Sequence, residues 1–219
     1  MSEFKIRYTK GEEIFNMVSH ISGVAVGIVA LVLCVVFSAI RGNAYDVVAS
    51  AIYGASMIIL YSVSSVYHGL SPRVRGKEVM RILDHCMIYV LIAGTYTPVC
   101  LCALREYNTS LGWTLFGIIW GLAALGITLN AISLKKFKIF SAICYIAMGW
   151  CVVAVWRPTV EMLGMGGITL MLLGGVSYTI GAAFYYFLKN KRYMHSVFHL
   201  FVVFGSILQM FSVLFYIVG

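Results

Sequence analysis

Charge is what this sequence has least of. Only 11% of its 219 residues are charged, against 61% hydrophobic, whereas a soluble domain carries about 25% charged residues. So much apolar side chain cannot be folded inside a soluble core, which leaves the lipid bilayer as the solvent. The charges that are present sum to +8, but they sit in short connections between apolar runs. Membrane topology accounts for them there, and nucleic-acid binding does not. Paired cysteines are also missing. Cys34, Cys86, Cys100, Cys102, Cys144 and Cys151 all fall inside apolar runs, with no C-x-x-C spacing among them. That excludes a disulfide framework and a thiolate metal site, and the six read as small packing residues. No low-complexity segment or repeat stands out, and the apolar runs leave no room for a separate globular part, so 1–219 reads as a single domain. A cleavable leader is not expected. The first run, 17–40, exceeds the roughly 7–15 residues of a signal-peptide core, and Glu12 and Glu13 precede it.

A membrane-crossing helix needs about 20 mostly apolar residues. Seven stretches qualify: 17–40, 47–69, 82–104, 111–134, 139–156, 163–188 and 194–218. Between them lie polar or turn-forming breaks at Arg41-Gly42-Asn43, Ser71-Pro72-Arg73 through Lys77-Glu78, Arg105 to Asn108, Lys135-Lys136, Arg157-Pro158 and Lys189 to Arg192. The fold class is therefore all-α, a seven-transmembrane helix bundle. Lys5, Arg7 and Lys10 precede the first span. Arg73, Arg75, Lys77 and Arg81, then Lys135, Lys136 and Lys138, then Lys189, Lys191 and Arg192 share its side, and only Arg41, Arg105 and Arg157 fall opposite. The positive-inside rule puts the N-terminus in the cytoplasm and the C-terminus outside, in a multi-pass protein of the cell's inner (plasma) membrane. Trp113 and Trp156 then fall at the outer interface, where aromatic belts form.

On that topology the five histidines share one depth. His20 begins span one, His68 ends span two, His85 begins span three, and His195 and His199 open span seven. All five ends are cytoplasmic, and Asp84 joins them there. His195 and His199, four residues apart, lie on one helix face and can offer two imidazole nitrogens to one ion. His68 can supply a third. Three histidines and a water describe an open zinc site, with Asp84 placed to hold and deprotonate the water. Ser64, one turn before His68, can donate to that water or to a nearby carboxylate.

A plainer reading competes at each position. Histidines at span ends also sit half in water at the interface, and His85 is best read that way. It neighbours Asp84, so the two side chains diverge by about 100° on a helix. His20 is open between a supporting and an interfacial role. Asp84 has Arg81 as an alternative ion-pair partner. Serines such as Ser64 commonly bond back to the preceding helical turn. Against these stands the cost of ionisable groups inside a membrane, which makes them functional by default.

The set Glu13-x-x-Asn16-x-x-Ser19-His20, Ser64-x-x-x-His68, Leu83-Asp84 and His195-x-x-x-His199 resembles the progestin and adiponectin receptor family, in its bacterial haemolysin III branch. The likeness runs from Glu13 to span seven, in the same order. The wider superfamily includes alkaline ceramidases and groups membrane metal-dependent hydrolases. The resemblance implies zinc on His68, His195 and His199, Asp84 at the metal's water, and Ser64 supporting the site. It also implies a structural or supporting role for Glu13, Asn16 and His20.

Three functions follow as expectations. The first is a zinc-dependent hydrolase of lipid amides or esters, with membrane lipid as the partner. The second is a lipid sensor or receptor in which zinc is structural. The third is the pore-forming cytolysin of the family label. It ranks last because polar residues cluster at one face only. No soluble partner and no oligomeric state can be read from the residues.

Overall fold

The computed structural model describes residues 8–188 and 190–219, and among these it is helical throughout, with no strand. Lys5, Arg7 and Lys189, counted above toward orientation, lie outside the described residues.

Helix α1 (Lys10–Arg41) starts well ahead of the first apolar run because of a reciprocal cap. Thr9 Oγ1 accepts the Glu12 N–H at 3.3 Å, and Glu12 Oε2 accepts the Thr9 N–H at 2.8 Å. Two of the amides that every helix start leaves unpaired are thereby satisfied. The buried residues of α1 are Glu12, Asn16, Ser19, His20, Gly23, Gly27, Ala30, Cys34 and Ser38. Their spacing of three and four marks one face, polar in its early turns and small-sided beyond. Helix α2 (Ala44–Gly69) opens with the same device, built from Asn43 and Asp46. The two helices approach so closely at Gly54 that a Cβ there would stand 2.5 Å from Leu31 Cα. Backbones meet in this way where membrane helices use small residues at their contacts.

Helix α3 (Gly76–Pro98) runs without a loop into a π-helical turn (Val99–Leu104) and a single last turn, α4 (Arg105–Tyr107). Pro98 has no N–H, and its ring crowds the carbonyl one turn back. The helix widens at this point, and all six residues of the wide turn are buried. The break read at Arg105 is therefore only at Asn108. That side chain accepts the Leu111 N–H at 2.9 Å and caps the next helix, α5 (Thr109–Gly149).

Two further breaks fall elsewhere than the charges suggest. Helix α5 is interrupted at Ser133 (φ −164°, ψ 99°), ahead of Lys135-Lys136. Ser133 Oγ accepts the Lys136 N–H at 3.3 Å and so restarts the helix as a cap. A 3-10 segment (Cys151–Val155) leads into α6 (Trp156–Leu188). Pro158 does not break this helix, because in the first turn its missing N–H has no partner to lose. The interruption comes at Gly164, where φ is +64°, a conformation glycine adopts at little cost. Helix α7 (Met194–Tyr216) closes the chain.

Among the described residues, five helical stretches are long and apolar enough to cross a membrane: Lys10–Arg41, Ala44–Gly69, Gly76–Tyr107, Thr109–Leu188 and Met194–Tyr216. The fourth is 80 residues long and bent. Their outer faces carry large apolar side chains, Ile132 and Ile139 being 69% and 70% exposed, as expected of a surface that meets lipid. All six cysteines are free. Helix α1 packs between α2 and α7, α2 on α3, α3 on α5, and α6 on α7. The start of α1, the end of α2 and the start of α7 consequently meet at one end of the bundle.

Candidate metal centre

At that end three imidazoles converge. His68 Nε2 lies 3.2 Å from His195 Nε2, which lies 3.1 Å from His199 Nε2. The three ligand nitrogens stand within 4.8 Å of one another. His195 and His199 meet because one helical turn separates them on α7. His68 reaches them from the end of α2, with α1 presenting polar side chains, Glu13, Asn16, Ser19 and His20, at this level.

Hydrogen-bond bookkeeping fixes the state of two of the rings. His68 Nδ1 donates to Glu13 Oε2 at 2.6 Å, and a carboxylate can only accept. His199 Nδ1 donates to the Asn16 carbonyl at 3.3 Å. In their neutral forms both rings then turn a bare Nε2 lone pair inward. His195 has at most one proton on its Nε2 for the two of them. A buried group with lone pairs aimed at one point suits a cation. Four ligands held tetrahedrally about 2.0–2.1 Å from zinc stand about 3.3–3.4 Å apart, close to the two spacings seen here. The backing of ring N–H groups by a carboxylate and a carbonyl is also usual around metal-bound histidine. The residues present therefore fit a tetrahedral, nitrogen-binding metal with one position left over.

Support for the rings comes from α1. Asn16 uses its carbonyl for His199 and its Oδ1 to accept from Ser196 Oγ at 2.6 Å. Its Nδ2 lies 3.5 Å from His68 Nδ1. Ser19 Oγ donates to the same Asn16 carbonyl at 2.9 Å. His20 stacks flat on His199, with ring centroids 3.6 Å apart, and neither of its nitrogens has a partner among the described residues.

Asp84 is not among the converging ligand groups. Its carboxylate lies 3.9 Å from His85 Nδ1, and its side chain is 14% exposed. It lies close enough to Tyr67 and Tyr185 to act on them electrostatically, and these two rings pack against His68 and His195. Arg81 pairs with Glu78 at 2.8 Å. Ser64 is buried, and its hydroxyl has no partner among the described residues, whereas Ser65 bonds back to the Tyr61 carbonyl at 2.7 Å. His85 is turned aside, with Nδ1 donating to the Arg81 carbonyl at 2.9 Å.

Residues outside the sequence-derived set complete the surroundings. Lys77 Nζ donates to Glu13 Oε1 at 2.7 Å and to the Leu70 carbonyl at 2.8 Å, which holds the carboxylate behind His68. Tyr8 stacks on His195 at 4.9 Å with the planes 14° apart. Its burial, together with the nearby Tyr185 and Tyr67, raises its hydroxyl well above the usual phenol range and keeps it neutral. Thr9-x-x-Glu12, a capping-box spacing, was the signal that could have started α1 early and put Glu13, Asn16 and His20 on one face.

The chain matches the family described as Haemolysin-III related over residues 8–210. It is 41% identical to the Hemolysin-3 of Bacillus cereus over 99% of this chain and 98% of that protein. It is 40% identical to the Hemolysin-3 homolog of Bacillus subtilis (strain 168) over 96% and 97%. A more distant likeness, 25% identity over 78% of this chain and 71% of the other, is to the Monocyte to macrophage differentiation factor of Homo sapiens.

Proposed function

The chain belongs to the haemolysin-III-related family, and from that premise we propose that it is a seven-span zinc protein of the inner (plasma) membrane that hydrolyses an amide or ester bond of a membrane lipid. The observation that carries this reading is the pair of bare, backed imidazole nitrogens on His68 and His199 meeting His195.

The interruptions at Ser133 and Gly164 divide the 80-residue stretch into three pieces, each long enough to cross. With the four other stretches this supports seven spans. Lys77, Arg81, Lys135, Lys136, Lys138, Lys191 and Arg192 then fall on the side of the trihistidine end, which makes that end cytoplasmic.

Zinc, when bound, supplies Lewis acidity toward the lipid carbonyl and acidity to a water. His68, His195 and His199 hold the ion, while Glu13 and the Asn16 carbonyl fix the ring directions. Asp84 stands outside the ligand set and stays free to take the proton of the attacking water as general base. The unpaired Ser64 hydroxyl is available to that same water or to the substrate oxygen. The acyl chain lies between helices, where the bundle is apolar.

A second reading, a lipid sensor with structural zinc, draws on one feature: the ion would tie α2 to α7 across α1. The test is turnover of lipid amides and esters by the zinc-loaded chain in detergent beside Asp84→Asn. Zinc retained with turnover lost supports the hydrolase. No cleavage by either protein removes it and leaves the sensor. The relatives' names bring a cytolysin to mind, but a conducting pore needs polar lining along its length, and here the buried histidines gather at one end. Graded protection of target cells by osmolytes of increasing size would reinstate the pore.

A further inference from the structure

His195 differs from the other two rings of the centre. His68 is aimed by the Glu13 carboxylate and His199 by the Asn16 carbonyl. His195 Nδ1 is buried with no partner among the described residues, so no hydrogen bond from behind sets the rotation of this ring. Aromatic contacts do. Tyr8 lies flat against it, with centroids 4.9 Å apart and planes 14° apart, and Tyr185 packs at 5.1 Å with a 54° tilt. Tyr8 is itself fixed in place. It precedes the Thr9–Glu12 cap, and Glu12 Oε1 also accepts the backbone N–H of Tyr193 at 2.7 Å, directly ahead of α7. One carboxylate thereby holds together the start of α1, which carries Tyr8, and the start of α7, which carries His195. Tyr193 takes the left-handed conformation, φ 61°, at that junction.

We propose that Tyr8 is a positioning residue for the metal centre, the flat face of its ring doing for His195 what hydrogen bonds do for His68 and His199. This rests on the metal-binding reading above. An imidazole with a free Nδ1 can turn about its Cβ–Cγ bond at little cost. Stacking against a coplanar ring removes that freedom and keeps Nε2 on the ion. The ring makes this contact, while the Tyr8 hydroxyl bonds to Tyr185 and not to a histidine nitrogen. The segment ahead of α1 thereby becomes part of the metal site, although it carries no ligand.

The experiment uses the full chain in detergent. Zinc affinity is measured by competition with a chromogenic chelator, and the cobalt-substituted protein by its visible absorption, which reports ligand geometry. Tyr8→Phe keeps the ring and should hold wild-type affinity within about twofold, whereas Tyr8→Ala should lose about 10–100-fold, the usual loss when a ligand's support is removed. The cobalt spectrum should shift in the Ala variant and not in the Phe variant. Tyr8→Leu fills the space without a flat ring and should behave as Ala does, which separates positioning from misfolding. Wild-type affinity in Tyr8→Leu overturns the proposal, and so does a Tyr8→Phe variant as weak as Tyr8→Ala. A wild-type chain that takes up no metal overturns the metal reading itself, a distinct result visible before any variant is made.

Discussion

Of the buried polar regions in this bundle, two are satisfied in opposite ways. Between α3 and the two arms of α5, Ser141 Oγ donates to Asn130 Oδ1 at 2.6 Å, Asn130 Nδ2 to the Tyr145 hydroxyl at 3.2 Å, and that hydroxyl to the His85 carbonyl at 2.7 Å. Donors and acceptors match, and the result is a brace that joins the arms of a bent helix. At the other region, where α1, α2 and α7 meet, the outer nitrogens of His68 and His199 are satisfied and their inner nitrogens confront a third ring. Burial of polar groups is common to both. What marks the second as a site is that its hydrogen bonds lead inward and end on two lone pairs that share at most one donor among the described residues.

That contrast can be broken or sharpened. The largest effect should come from His195→Ala. Elemental analysis of the purified chain should fall from about one zinc to none, because two imidazoles and a water make a poor zinc site. Stripping the wild type with a chelator should lower its melting temperature, since binding free energy adds to folding, and should leave the melting of His195→Ala unchanged. Equal zinc in both proteins would erase the distinction between the two regions. Next is Glu13→Ala, which removes the acceptor behind His68. Zinc affinity should weaken about 10–100-fold with the ion still bound at saturation, as measured by chelator competition. The smallest effect belongs to the brace. Asn130→Ala should cost about 1–3 kcal/mol, the penalty of leaving buried partners unpaired, read as a lower melting temperature with zinc content intact. If Asn130→Ala lost zinc, the regions would be coupled and the comparison would need redrawing.

The apolar runs were legible because the bilayer demands them, and the trihistidine candidate was legible because an i, i+4 pair and a span end share a depth. The helix breaks were read less well. Charges at Lys135 and Arg157 mark the neighbourhood of a turn, but backbone conformation decides its place, and Ser133 and Gly164 are where the chain departs from helix. Lys77 was read as a loop charge. Because α3 begins at Gly76, it lies in the first turn and reaches Glu13. The pairing of Glu13 with His68 spans 55 positions and depends on how α1 and α2 rotate about their axes, which no local spacing encodes. The different support of His195 was not legible for the same reason, since it rests on rings from two other parts of the chain.

The wide turn after Pro98 has a consequence for the whole bundle. An extra residue in one turn advances the helical phase by about 100°. Helix α3 packs on both α2 and α5, and the wide turn itself meets α5, α6 and α2. A single rod thus serves as a party wall between the compartment that holds the histidines and the one that holds the brace. Removing one residue from Val99–Leu104 would straighten the count and turn the side chains beyond it by about 100° relative to those before it.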